Sequence, residues 1–313
     1  MTNDGGSAPA SWRTAVALTL AVLLLSAFNA LPLVALPLAV LLVALPSERR
    51  WKALGVAVVV WVLALGLSGS SLGSVSRGWA LMLGSAFLFA SVSRPSWGVL
   101  SRSLLALALS LVVGGAALGL TGSWARTDAV LRDHFADAAR LAVEGLGPVS
   151  PGSTFGAGFA VAIEKMGSIQ WTLFPAVLGL QSLAALALAS WWISRLLRPD
   201  DGRFQLGRLR DFRFNDQLIW VLIVSMVVVA LPLDALTTRL GYNALFFMGA
   251  LYALRGVGVI VFLASGAPPV FAIGFGVLAA IFLYPLVLTA AILVGLGDTW
   301  LDVRGRAALA PRA

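Results

Sequence analysis

Ser103-Leu104-Leu105-Ala106-Leu107-Ala108-Leu109-Ser110-Leu111-Val112-Val113 continues through Gly114-Gly115-Ala116-Ala117-Leu118-Gly119-Leu120-Thr121 without one charged side chain. A helix needs about 20 apolar residues to cross the hydrocarbon core of a bilayer, and this stretch supplies them. Comparable runs occupy residues 14–30, 31–46, 53–68, 78–92, 168–194, 217–233, 242–264 and 268–297. The chain is 59% hydrophobic and 12% charged over 313 residues, with a mean hydropathy of +0.94. A soluble domain carries about 25% charged residues, and no soluble fold of this size hides so much apolar surface. The reading is an all-α, polytopic transmembrane bundle of eight to ten membrane segments.

Loop charges orient the bundle. The basic connections are Ser47 to Lys52, Arg94 to Arg102, and Arg195 to Arg213. All three fall on one side only if residues 14–46 form a hairpin. By the positive-inside rule that side is cytoplasmic, as is the N-terminus, and the setting is a bacterial inner membrane. Three spans after residue 216 would leave Arg304, Arg306 and Arg312 outside. A re-entrant segment or a second split hairpin, at Pro285 for instance, would return them to the cytoplasm.

This gives three parts: an N-terminal membrane bundle (1–121), an extracytoplasmic amphipathic segment (122–167), and a C-terminal bundle (168–313) with a basic cytoplasmic loop (195–216). In the middle part, Leu131, Phe135, Ala138, Ala142 and Leu146 recur at helical spacing opposite Arg132, Asp133, Asp137, Arg140 and Glu144. A helix over 127–145 capped by Thr127 is expected, as a solvated connector or else lying on the membrane or covering the bundle. The 195–216 loop holds six arginines against four aspartates, an excess that anionic headgroups alone would attract.

Composition narrows the chemistry. The chain has no cysteine and one histidine, His134, which removes thiolate catalysis and leaves no metal site. The net charge of +8 sits in the loops rather than in a basic stripe, so nucleic acid is not expected as a partner. Gly69-Ser70-Ser71-Leu72-Gly73 matches the serine-hydrolase pattern, which requires an α/β sheet. Gly66-Leu67-Ser68-Gly69 matches the rhomboid one, which needs an embedded histidine base. An enzyme is therefore not expected, nor any cofactor. Asp200–Asp201 and Asp298–Asp302 lie beside arginines and read as solvated charge. Gly115-Ala116-Ala117-Leu118-Gly119 permits close helix approach.

A charge inside an apolar run is costly and marks a site. Arg255 is the foremost, in the middle of the 242–264 run, and must meet a cavity, a backbone carbonyl or a carboxylate such as Glu164 or Asp298. With Asn243 and Tyr252 it forms the candidate substrate contact. Asn29, Gln170, Gln181, Tyr242 and Tyr284 are weaker members of the same class.

Three blocks resemble the YybS-like family of bacterial membrane proteins, a domain of unknown function: Asp211 to Trp220, Asn243 with Leu251 to Gly256, and Leu296 to Arg304. Phe174-Pro175-Ala176 is also similar, so the resemblance covers residues 170–305. That family is loosely similar to the substrate-binding S-components of energy-coupling-factor vitamin transporters. The resemblance implies a small-solute-binding transport component served by other membrane subunits and a cytoplasmic ATPase. Ala17 and Ala21 match the A-x-x-x-A by which S-components contact their coupling subunit. The alternative is an envelope scaffold or assembly factor that meets its partner through Arg208, Arg210 and Arg213.

Overall fold

The computed structural model describes residues 71–145, 154–196, 205–264 and 284–309. The N-terminal apolar runs, Ala17, Ala21, Asn29, Asp200–Asp201, the rhomboid-like motif and much of the 268–297 run lie outside them. The described residues form eight α-helices and no strand, an all-α architecture. Four of these helices are long and apolar enough to cross a membrane: Val75–Ser93, Val99–Leu120, Gly158–Trp191 and Ala235–Leu263. Asp216–Ala230 and Pro285–Leu301 are shorter apolar helices.

The chain divides into two compact units, 1–127 with 178–206 and 128–177 with 207–313. In the first unit, α1 (Ser71–Ser93) packs on α2 (Val99–Leu120). Ala80, Leu81, Leu83 and Phe87 of α1 and Ala106 and Leu107 of α2 are buried. The outward side chains are just as apolar: Val112 is 68% exposed and Leu120 90%. Water would penalise such a surface at about 25 cal/mol per Å²; lipid does not. The interior carries the polar groups instead, with Ser91, Ser103, Ser110, Ser182, Ser190, Ser194 and Arg102 all buried. Trp79 Nε1 donates to Ser182 Oγ at 3.0 Å.

Helix α2 ends in a Schellman turn. Ser123 N donates to Leu118 O, Gly122 N donates to Gly119 O, and Gly122 takes a φ of +65°. The amphipathic helix α3 (Trp124–Gly145) therefore starts at Trp124, and Thr127 stands in its first turn rather than at its cap. Among the described residues, Gly115 and Gly119 meet one side chain, from the first residue of α3. The space beside both is filled by the Trp124 indole, 3.8 and 3.7 Å from where their Cβ atoms would stand.

In the second unit, the face of α3 that packs inward carries Leu131, Phe135, Ala139 and Val143. It is rotated one residue from the expected Ala138 and Ala142, which are exposed. Helix α4 (Thr154–Leu196) begins earlier than the apolar run at 168. Gly167 of α4 meets Ala139 and the carbonyl of Phe135, and the Phe135 and Phe174 rings lie 5.6 Å apart. This part of α3 covers helix rather than lying free.

Helices α5 (Ile219–Ala230) and α6 (Ala235–Leu263) form a hairpin. Leu231 is extended, as expected of a residue before proline, and Asp234 caps α6. The Thr237 hydroxyl and amide donate to the Asp234 carboxylate at 2.6 and 3.0 Å, holding its pKa below the ordinary 3.8. The ionised form is favoured in the folded state, so the cap stabilises above pH 3.8 and fades as pH falls through the lowered value. The melting difference between wild type and Asp234→Ala should therefore be level at neutral pH and close under acid conditions. Helix α7 (Tyr284–Leu301) crosses α6, and Asp302, at φ 41°, breaks it from the short α8 (Val303–Leu309).

Candidate functional site

Arg255 is 2% exposed and Asp298 1%. Arg255 lies on α6 and Asp298 three residues before the end of α7. The guanidinium donates from all three nitrogens: Nε to Asp298 Oδ2 at 3.0 Å, the Asp298 carbonyl at 3.4 Å, and Asp216 Oδ1 at 2.6 Å. Asp298 Oδ2 also accepts from Arg304 at 2.7 Å. The left-handed break at Asp302 makes that second contact, because it turns α8 back so that Arg304 faces the preceding turn of α7. Two arginines meet two aspartates, a neutral set. An unpaired charge at such depth costs several kcal/mol.

The loop 205–218 is tied into this junction. Arg304 donates to the carbonyls of Arg210 and Phe212 at 2.9 and 3.0 Å, and Arg213 reaches Asp302 at 2.6 Å. Phe214 is buried, its ring 5.5 Å from the Arg255 guanidinium and edge-on to Tyr252 at 5.1 Å. Leu209 presents its carbonyl to Gly258, where a Cβ would stand 2.6 Å away. Of the expected partner contacts, Arg208, Arg210 and Arg213 thus stand on an exposed loop whose backbone is held from beneath. Arg304 meets the loop on the same face, the arrangement that a re-entrant segment or a split hairpin after residue 216 would give.

One sequence expectation changes here: Asp298, which reads with Asp302 as solvated charge, is the buried centre of the junction. It is also the carboxylate that Arg255 meets, one of the two the sequence offers for that role, and Glu164 is not. Exposed Trp220 and Trp300, 66% and 67% accessible, flank the junction in sequence. Tryptophans of this kind gather at membrane–water boundaries, so the junction belongs near a boundary.

Asn243 is elsewhere. It precedes Arg255 by 12 residues on α6, about 18 Å along the axis, and serves a second cluster. Pro175 interrupts α4 and has no N–H to give the carbonyl four residues back. Trp171 O is that carbonyl, and it accepts from Arg239 at 3.0 Å. Thr172 O accepts from Asn243 Nδ2 at 2.8 Å and Arg239 Nε at 3.4 Å, while Asn243 Oδ1 accepts from Ala176 N at 2.9 Å. Arg239 also pairs with Asp128 of α3 at 2.7 Å and stacks 4.1 Å over Trp171. Tyr242 borders a shallow groove with Ser168, Ile169, Thr172 and Leu173. Arg255 and Tyr252 are brought together; Asn243 is not joined to them.

Arg102 and Arg239 escaped the sequence reading. The basic connection expected to run to Arg102 ends before it: Arg102 occupies the first turn of α2, 0% exposed, with its guanidinium 5.9 Å from the Phe87 ring. Arg239 had a legible signal in Pro175: a proline inside an apolar run obliges a neighbour to supply donors.

No curated protein and no solved structure matches this chain. A family model described as "Predicted membrane protein (DUF2232)" matches residues 14–299, well beyond the blocks that carried the resemblance, and the chain belongs to that family.

Proposed function

We propose that this chain is a multi-pass scaffold of the bacterial inner membrane, N-terminus cytoplasmic, that docks a partner on its 205–216 loop. The supporting observation is the fastening of that loop: Arg304 to two of its carbonyls, Arg255 to Asp216, and Arg213 to Asp302. A connection that only joined two helices would not need a buried ionic junction to fix its backbone. Fixing it holds exposed Arg208 and Arg210 in a set geometry, and a pre-ordered surface loses less entropy on association. The fitting partner is an acidic segment of another membrane subunit or of a cytoplasmic ATPase. An S-component-like solute site would want Arg255 for its ligand, and the Arg255 nitrogens already serve Asp298 and Asp216.

A photoreactive amino acid at position 208 tests this in cells, with position 224 on the exposed face of α5 as the lipid control. A discrete protein adduct is expected at 208 only, reduced at least fivefold by Arg210→Glu at unchanged melting temperature. Lipid adducts alone at 208, together with a ligand-dependent melting shift in a metabolite screen, would defeat the scaffold reading.

A further inference from the structure

We propose that α3 latches a hinge in α4, with Asp128 holding the latch closed. The hinge is the turn at Pro175. Without the amide of Pro175, Trp171 O lacks the donor four residues on that a helix provides, and kinks concentrate where the ladder is interrupted in this way. Arg239 and Asn243 of α6 supply the missing donors, so the turn is held by side chains from another helix rather than by its own backbone.

Arg239 depends in turn on Asp128. Its NH1 meets Asp128 Oδ1 at 2.7 Å, the Trp171 indole donates to the same oxygen at 3.3 Å, and Arg132 lies 3.6 Å from Oδ2. Withdrawing Asp128 leaves the Arg239 charge without a carboxylate at the end of an apolar helix. The guanidinium is then drawn towards water, and the carbonyls of Trp171 and Thr172 lose it together.

Helix α3 is built to be withdrawn. Ala139 is its one buried residue among those described, and beside Asp128 it meets α4 through the Phe135–Phe174 ring contact, the Gly167 contact and the Arg132 guanidinium 4.8 Å over the Trp171 ring. Segments with so few buried contacts open at low free energy. A ligand or protein that engages the outer face of α3 therefore has a direct line to the hinge: Asp128, Arg239, then the two carbonyls. This line is separate from the 205–216 loop and stands whether or not the loop docks a partner.

Amide exchange of the detergent-purified full chain, read by mass spectrometry over residues 172–179, tests the proposal. Asp128→Asn should speed exchange there at least tenfold, while residues 248–256 stay as in wild type. Adding Pro175→Ala to Asp128→Asn should restore slow exchange, since the alanine amide returns the backbone bond to Trp171 O. Arg132→Gln, which removes the longer ion pair and the Arg132 stack on Trp171 but leaves the Asp128–Arg239 pair in place, should change exchange less than twofold. Wild-type exchange in Asp128→Asn overturns the latch. So does fast exchange that persists in the Pro175→Ala double variant, because the loss would then be general rather than confined to the hinge.

Discussion

Asp298→Asn should lower stability by about 3–5 kcal/mol, the range for breaking a buried ion pair from one side. The change keeps the shape of the side chain and removes its charge. Arg255 then keeps one carboxylate, Asp216, which is itself largely exposed, and Arg304 keeps the carbonyls of Arg210 and Phe212. In detergent the melting temperature should fall on the order of 10 °C, taking about 2–4 °C per kcal/mol for larger domains. A second effect follows from the geometry. Arg304 is oriented by Asp298 while it holds the carbonyls of Arg210 and Phe212, so loosening it frees the loop. Brief trypsin treatment should cut after Arg208, Arg210 or Arg213 in the variant well before it does so in wild type. Arg255→Met tests the coupling. Combined with Asp298→Asn it should cost clearly less than the two single losses added together, since the pair acts as one unit. Additive losses, or an unchanged cleavage pattern, would remove the junction from its place under the loop.

The junction was half legible in the sequence. Arg255 could be found because an arginine amid Leu254, Gly256 and Val257 is out of place in lipid. The same rule applies to Asp298 in Leu296-Gly297-Asp298-Thr299, and it was masked by the nearby arginines, which made the segment look like an ordinary charged terminus. Asp216 gave no signal, because what recruits it is the folding of the loop onto α6. The helical class was legible from apolar run lengths, whereas the boundaries of α3 and α4 were not. Trp124 starts α3 because Gly122 can take a positive φ, and α4 reaches back to Thr154 through residues that the apolar run at 168 does not include. Periodicity placed the apolar stripe of α3 within one residue of its true position. That small rotation is what brings Asp128 to Arg239, and side-chain spacing alone does not determine it.

Gly256→Ala should be among the most disruptive single-methyl changes in the chain. At the crossing of α6 and α7 the backbones touch: a Cβ on Gly256 would overlap the carbonyl of Ala291, and one on Gly295 would overlap the carbonyl of Tyr252. Backbone cannot rotate aside as a long side chain can, so one methyl has to push the helices apart. Overpacking of this kind costs about 1–3 kcal/mol and sometimes more, and here the separation also stretches the adjacent Arg255–Asp298 pair. About 3 kcal/mol or more is therefore expected for either Gly256→Ala or Gly295→Ala, measured as thermal unfolding in detergent. The double variant should lose little beyond either single one, because the first methyl already opens the gap that the second needs. Gly249→Ala, on the same helix with nothing within 4 Å of its would-be Cβ, is the control. It should be neutral or stabilise by about 0.5–1 kcal/mol, through helix propensity alone. If Gly256→Ala behaves like Gly249→Ala, the two helices do not meet backbone to backbone, and the alignment of Arg255 with Asp298 must have another cause. This crossing also lies outside the reach of motif scanning. Gly115 and Gly119 match the small-residue pattern but shelter Trp124, whereas Gly256 and Gly295 lie on different helices, 39 residues apart, and share no local spacing at all.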